Sequence, residues 1–140
     1  MTTNDAPPLG AIGQIAINAK DVARAVRFYR DTLGLQFLFD APPALAFFKC
    51  GDLTLMLSPP EAPEFDHPSS ILYINSIDII ANHAALSARG VVFRDEPHRV
   101  HRAGDKELWM TFFIDSEGNV LALQQWREAA GGQATGSGAE

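Results

Sequence analysis

Few residues in this sequence have the chemistry of an active site, and their spacing narrows what they could do. Gln14 stands in the otherwise apolar stretch "IGQIAIN" (12–18). Its amide would serve as a neutral metal ligand, as a contact to a bound molecule, or as a polar group at the rim of a sheet. The stretch "DEPHRVHRAGDKELW" (95–109) holds His98 and His101, with Glu96, Asp105 and Glu107 nearby. Two imidazoles and a carboxylate would make a metal site. Residues three apart in a strand point to opposite faces, so the two histidines converge only in a helical turn or a bent loop. His98 alone would act as a general base near neutral pH, with Tyr73 as a proton donor. Cys50 follows Lys49, but strand neighbours point opposite ways, and the thiol reads as structural. His67 and His83 read as surface residues. No nucleophile motif, phosphate-cradling glycine loop or paired carboxylate stands out.

Composition bounds the partners. The chain has 140 residues, 46% hydrophobic and 20% charged, the balance of an ordinary globular domain. Formal net charge is −6, with lysines and arginines scattered, which argues against a nucleic-acid surface and against a polybasic membrane anchor. One cysteine permits no internal disulfide and suits a reducing compartment. The first ten residues lack the features of a secretion signal, and no run approaches the roughly 18 apolar residues of a membrane span. The expectation is a cytoplasmic protein without nucleic-acid or membrane partners.

The elements that must position these residues follow from periodicity. Residues 12–19 alternate as a strand, with Ile15 and Ile17 on one face and Gln14, Ala16 and Asn18 on the other. Asp21 offers a helix N-cap, an apolar stripe runs from Val22 to Leu33, and Gly34 ends it. Strands are expected near 35–40, 45–50 and 53–58. The plan then repeats: a strand at 71–75, a helix over 77–89 ending at Gly90, and strands at 91–95, 107–114 and 119–126. "AFFKCGDLTLML" (46–57) echoes "TFFIDSEGNVLAL" (111–123). An internal repeat of this kind decides the architecture. The fold class is α+β: two βαβββ modules, 11–58 and 69–127, joined by the linker 59–68, with a flexible start (1–10) and tail (128–140). Their sheets curve into a mixed cup with the helices outside.

The stretches "DVARAVRFYRDTLGL" (21–35) and "FFIDSEGNVLAL" (112–123) resemble the first helix and final hairpin of the vicinal oxygen chelate superfamily, which includes glyoxalase I, extradiol dioxygenases and bleomycin-resistance proteins. Ser116 stands where that hairpin usually has proline. In metal-dependent members four cup-facing positions hold a divalent ion. The resemblance maps these onto Gln14, Met56, either Ser69 or Ser70, and Ala122. Both carboxylates are thereby replaced, and we expect no metal and no cofactor. Gln14 then hydrogen-bonds a ligand or a neighbouring side chain.

Three readings follow. The first is a small organic molecule held in the cup by Gln14, Phe48, Met56, Tyr73, His98, Trp109, Phe113 and Ala122. The second is a glyoxalase-type lyase or dioxygenase with metal ligands from the 95–109 loop. The third is a metal-free acid–base enzyme using His98 and Tyr73. Edge strands of two half-cups need partners, so a homodimer is expected, with the cup built by one chain or across two.

Overall fold

Asp21 and Asp78 start the two helices in the same way. Each carboxylate accepts a backbone N–H three residues on, from Arg24 and from Ala81, both at 3.0 Å, supplying a partner that the helix itself cannot. In the computed structural model, which describes residues 6–129, the first helix α1 (Val22–Val26) continues as a π-helical segment over Arg27–Thr32, and α2 spans Ile79–Ala88. Gly34 and Gly90, with φ of 81° and 96°, turn the chain out of each helix in the left-handed conformation that glycine adopts without strain. The expected loose ends fall largely on 1–5 and 130–140, which lie outside the described residues.

The strands are β1 (Gln14–Asn18), β2 (Gln36–Ala41), β3 (Leu45–Cys50), β4 (Leu53–Ser58), β5 (Leu72–Asn75), β6 (Val92–Phe93), β7 (His98–Ala103), β8 (Lys106–Ile114) and β9 (Val120–Glu128). They form a four-stranded sheet, β1-β4-β3-β2, and a five-stranded sheet, β5-β9-β8-β6, with β7 also paired to β8. In each sheet the first and last strands of the module run parallel, and the other pairs are antiparallel. This is the α+β cupped fold with the repeat expected from sequence. The linker contains a short 3-10 turn at Pro63–Phe65. No helix among the described residues is long and apolar enough to cross a membrane.

One element departs from expectation. Residues 98–103, expected as loop over the cup mouth, form a strand. β8 is long enough to pair with β6 near its end and with β7 along the rest of the same edge. The hairpin closes through Gly104 at φ 65°, as Gly51 at φ 62° closes β3 onto β4. Both turns use the same Gly-Asp pair.

A single core runs through both modules, from Ile17, Tyr29 and Phe48 to Ile79, Phe113 and Leu121. It is sealed where the turn between β8 and β9 meets α1. The buried Asp115 accepts the Tyr29 hydroxyl at 2.6 Å, and the N–H groups of Glu117 and Asn119 at 2.8 Å each. Asn119 Nδ2 donates to the Asn18 carbonyl at the end of β1, 2.9 Å away. Arg24 forks onto Glu117 at 2.7 and 3.0 Å, and the Asp21 N–H donates to the same carboxylate at 2.9 Å. Two donors in a guanidinium fork suit a carboxylate.

Burial works against the Glu117 charge. The hydrogen bonds from Arg24, Asp21 and Ser116 outweigh it and hold the carboxyl at about 2, below its ordinary 4.5. A depressed folded pKa stabilises above the unfolded value and is lost as the group protonates. The seam therefore contributes fully above about pH 4.5 and weakens as pH falls toward 2. Urea midpoints measured across this range should drop for the native chain, and Glu117→Gln should remove part of that acid dependence. An unchanged acid limb in the variant would show that Glu117 does not carry it.

Candidate functional site

Strand register decides which side chains share the inner faces of the sheets. On the first sheet Gln14 pairs with Thr54, and Ala16 with Met56, placing Met56 beside Phe47, which pairs with it on β3. Phe47 stacks on Phe39 at 4.7 Å between ring centroids. The central row is thus Ala16, Met56, Phe47 and Phe39. The row toward the sheet end is polar: Gln14, Thr54, Lys49 and Gln36. Gln14 Nε2 donates to the Met56 sulfur at 3.8 Å, so two of the four superfamily positions touch each other.

On the second sheet Tyr73 and Phe112 both pair with Ala122, one from each side, and their rings meet edge to face at 5.8 Å. Ala122 beneath them is fully buried while Tyr73 stays 44% exposed. The next row runs Asn75, Gln124, Met110 and His98, with Gln124 Nε2 donating to Asn75 Oδ1 at 3.0 Å. No carboxylate stands in any of these rows.

The linker roofs part of the first inner face. Asn18 Nδ2 donates to the carbonyls of Phe65 and His67 at 3.3 and 2.8 Å. The result is a pocket of about 300 Å3 lined by Ala16, Asn18, Met56 and Ser58 from the strands and by Phe65, His67, Ser69 and Ser70 from the linker side.

Several expected positions need correction. Phe48, Phe113 and Trp109 face the helices, not the cup. Phe48 packs on Tyr29 and Phe37, and Phe113 on Phe93. Trp109 donates from its indole N–H to the buried Glu107 at 3.0 Å and carries the Arg127 guanidinium over its ring. The members of each Phe pair on the inner face are Phe47 and Phe112. A bulge at Leu38 keeps the alternation of β2 from holding, placing Phe37 opposite Phe48 but Phe39 opposite Phe47.

In the second module the register gives Ile71 the place that Gln14 has in the first, two residues before the partner of the last strand. Ser69 and Ser70 precede β5, and Ser69 Oγ instead accepts the Asn18 N–H at 3.1 Å. His83 is not a surface residue: its ring packs on Phe93 at 4.3 Å. Cys50 is half-buried and faces the core, and burial pushes its thiol up.

His98 and His101 share the inner face. A bulge at Val100 pairs His98 with Met110 and His101 with Leu108, and those two partners lie on one side of β8. His98 Nδ1 lies 2.8 Å from the Glu96 carbonyl, and His101 stands edge-on to Trp126. The nearby carboxylates do not join them. Glu107 is on the opposite face with Arg99 and Trp109, and Glu96 lies near His83. Among the described residues no three His, Cys, Asp or Glu side chains come together as a metal site. His98 and Tyr73 stand on strands three steps apart in the second sheet, with about 14 Å between their backbones.

The profile of the Glyoxalase/Bleomycin resistance protein/Dioxygenase superfamily matches residues 11–123, and the chain belongs to that superfamily. Among solved structures it is similar to an antibiotic-binding protein, TnmS3, from Streptomyces sp. CB03234, with 25% identity, 86% of this chain and 98% of that one covered, and a TM-score of 0.69. A lactoylglutathione lyase from Agrobacterium tumefaciens shares 24% identity over 85% of this chain and 96% of its own, with a TM-score of 0.64. A superfamily member from Sphaerobacter thermophilus DSM 20745 shares 21% identity over 84% and 98%, with a TM-score of 0.72. No curated protein gives a significant match.

The ring pair over Ala122 makes that position intolerant of a carboxylate. Ala122→Glu would drive a charge under Tyr73 and Phe112, and urea unfolding should show a loss of about 2–3 kcal/mol. Adding Tyr73→Ala in the same chain should recover part of it. A neutral single variant would mean the rings yield freely.

Proposed function

We propose that this superfamily member binds a small, largely apolar organic molecule against the inner faces of its sheets, without a divalent ion at the superfamily's metal position. The observation that carries this reading is the occupancy of that position. Gln14 is spent on the sulfur of Met56, Ala122 is covered by aromatic rings, and Ile71 or a nearby serine offers no anionic donor. Divalent ions want oxygen and imidazole ligands with negative charge among them. A neutral amide, a thioether, a methyl and a sec-butyl group do not fit one.

What remains suits an organic ligand. Phe39, Phe47 and Met56 form a flat, polarizable floor on one sheet, and Tyr73 and Phe112 one on the other. Amides and hydroxyls at the borders fix orientation, the usual division of labour in small-molecule pockets. The antibiotic-binding neighbour gives this reading a relative with a binding role, and the lactoylglutathione lyase gives the enzymatic alternative one. We place the protein in the cytoplasm as a homodimer, in which exposed edges and inner faces gain partners.

The alignment of His98 and His101 by the β7 bulge favours a second reading, a relocated metal site. Elemental analysis of untagged protein, followed by titration with nickel, zinc, manganese and iron(II), separates the two. The binding reading expects no stoichiometric metal. It also expects saturable binding of a flat, uncharged aromatic probe such as N-phenyl-1-naphthylamine, weakened about tenfold or more by Met56→Arg. One metal per chain, lost in His98→Ala or His101→Ala, would overturn it in favour of the relocated site.

A further inference from the structure

A larger cavity lies at the seam of the two modules. Its volume is about 710 Å3, within the range of small-molecule sites. The first module supplies Ile15, Leu35, Leu53 and Leu55, and the second supplies Ile71 and the residues of β5. The cavity takes these helix-facing residues of the first sheet together with Gln36 and Lys49 of the polar row at the sheet end, whereas the linker pocket sits against Ala16 and Met56 on the inner face.

The lining is mostly aliphatic, and its charge pattern is one-sided. Gln36, Asn75 and Tyr73 contribute neutral polar groups, and burial keeps the Cys50 thiol protonated. Among the described residues no aspartate or glutamate lines the cavity, and Lys49 is the one charged residue that does. Lys49 is exposed, so its ammonium stands at the solvent side of the chamber. It makes no ion pair with any described residue.

We propose that the seam cavity is a second binding site, for an aliphatic carboxylate. The hydrocarbon tail lies among Leu35, Leu53, Leu55 and Leu72, and the carboxylate meets Lys49 at the opening. The amide of Gln36, paired with Lys49 across β2 and β3, is placed to donate to the second carboxylate oxygen. A cationic amphiphile of the same length would meet Lys49 with no acid to offset the repulsion. A neutral one would forgo the charge-assisted bond.

Calorimetric titration of the full chain with octanoate, decanoate and dodecanoate, and with dodecyltrimethylammonium, tests this. Each methylene buried should tighten carboxylate binding by up to about fourfold. The ammonium amphiphile should bind at least about tenfold more weakly than dodecanoate. Lys49→Glu, an exposed substitution that leaves the core untouched, should weaken dodecanoate by about tenfold or more. Leu53→Trp, checked for folding by thermal melting, should block it by filling the chamber, and Ile71→Trp serves if that variant does not fold. Equal affinity for both head groups, indifference to Lys49→Glu, or no saturable binding up to about 1 mM would overturn the proposal. Loss of dodecanoate binding in Met56→Arg but not in Leu53→Trp would place the ligand on the inner face. That result would overturn the seam site and leave the inner-face reading standing.

Discussion

One buried carboxylate ties the two modules together. Asp115 leaves water at the start of the turn between β8 and β9, and a buried charge is tolerable only when its acceptor sites are filled. Here they are filled from both halves of the chain, by Tyr29 of the π-helical segment that continues α1 and by the backbone and side chain of its own turn. The phenol is bound to this arrangement in turn: burial, and then the Asp115 charge, push its pKa up and keep it a donor. A shift of the turn would orphan both groups, so this contact fixes the first helix against the second sheet.

The inner faces of the two sheets are packed differently from their core faces. At Met56 and Ala122 the contacts are a sulfur beside Gln14, and two rings closing over a methyl group. The main hydrophobic cluster lies on the other side of both sheets, so the inner faces can vary more freely than the core. Fold and function are separable here for a geometric reason.

The repeat, both helices with their caps, and eight of the strands were legible in the sequence because each rests on local periodicity and turn chemistry. What escaped depended on register. The β7 strand was hidden by its polarity, yet its Gly-Asp turn repeats the one between β3 and β4. Phe48 could have been placed correctly from that turn. A tight hairpin at Gly51 pairs Phe48 with Leu55, which stands beside Ile15 on the face opposite Gln14. The bulges at Leu38 and Val100 are different in kind: each inserts a residue that flips alternation downstream, and no residue type there announces it. Trp109 was missed because Arg127 reaches its ring only through the pairing of β8 with β9, beside the Glu107 that accepts its indole N–H.

The seam is also lopsided, and this bears on how the chain came to have its present form. The turn after β8 reaches the other module and is clamped there, while its counterpart after β3, at Gly51 and Asp52, closes tightly and has no such clamp onto α2 among the described residues. Of two similar modules, one carries a latch and the other is the part it fastens. Duplicated halves in this state have lost their interchangeability: neither could stand in for the other in a symmetric pair, since two copies of the first would lack Asp115 and two of the second would lack Tyr29. The ancestry remains visible in the strands, and the division of labour is recorded in the turns.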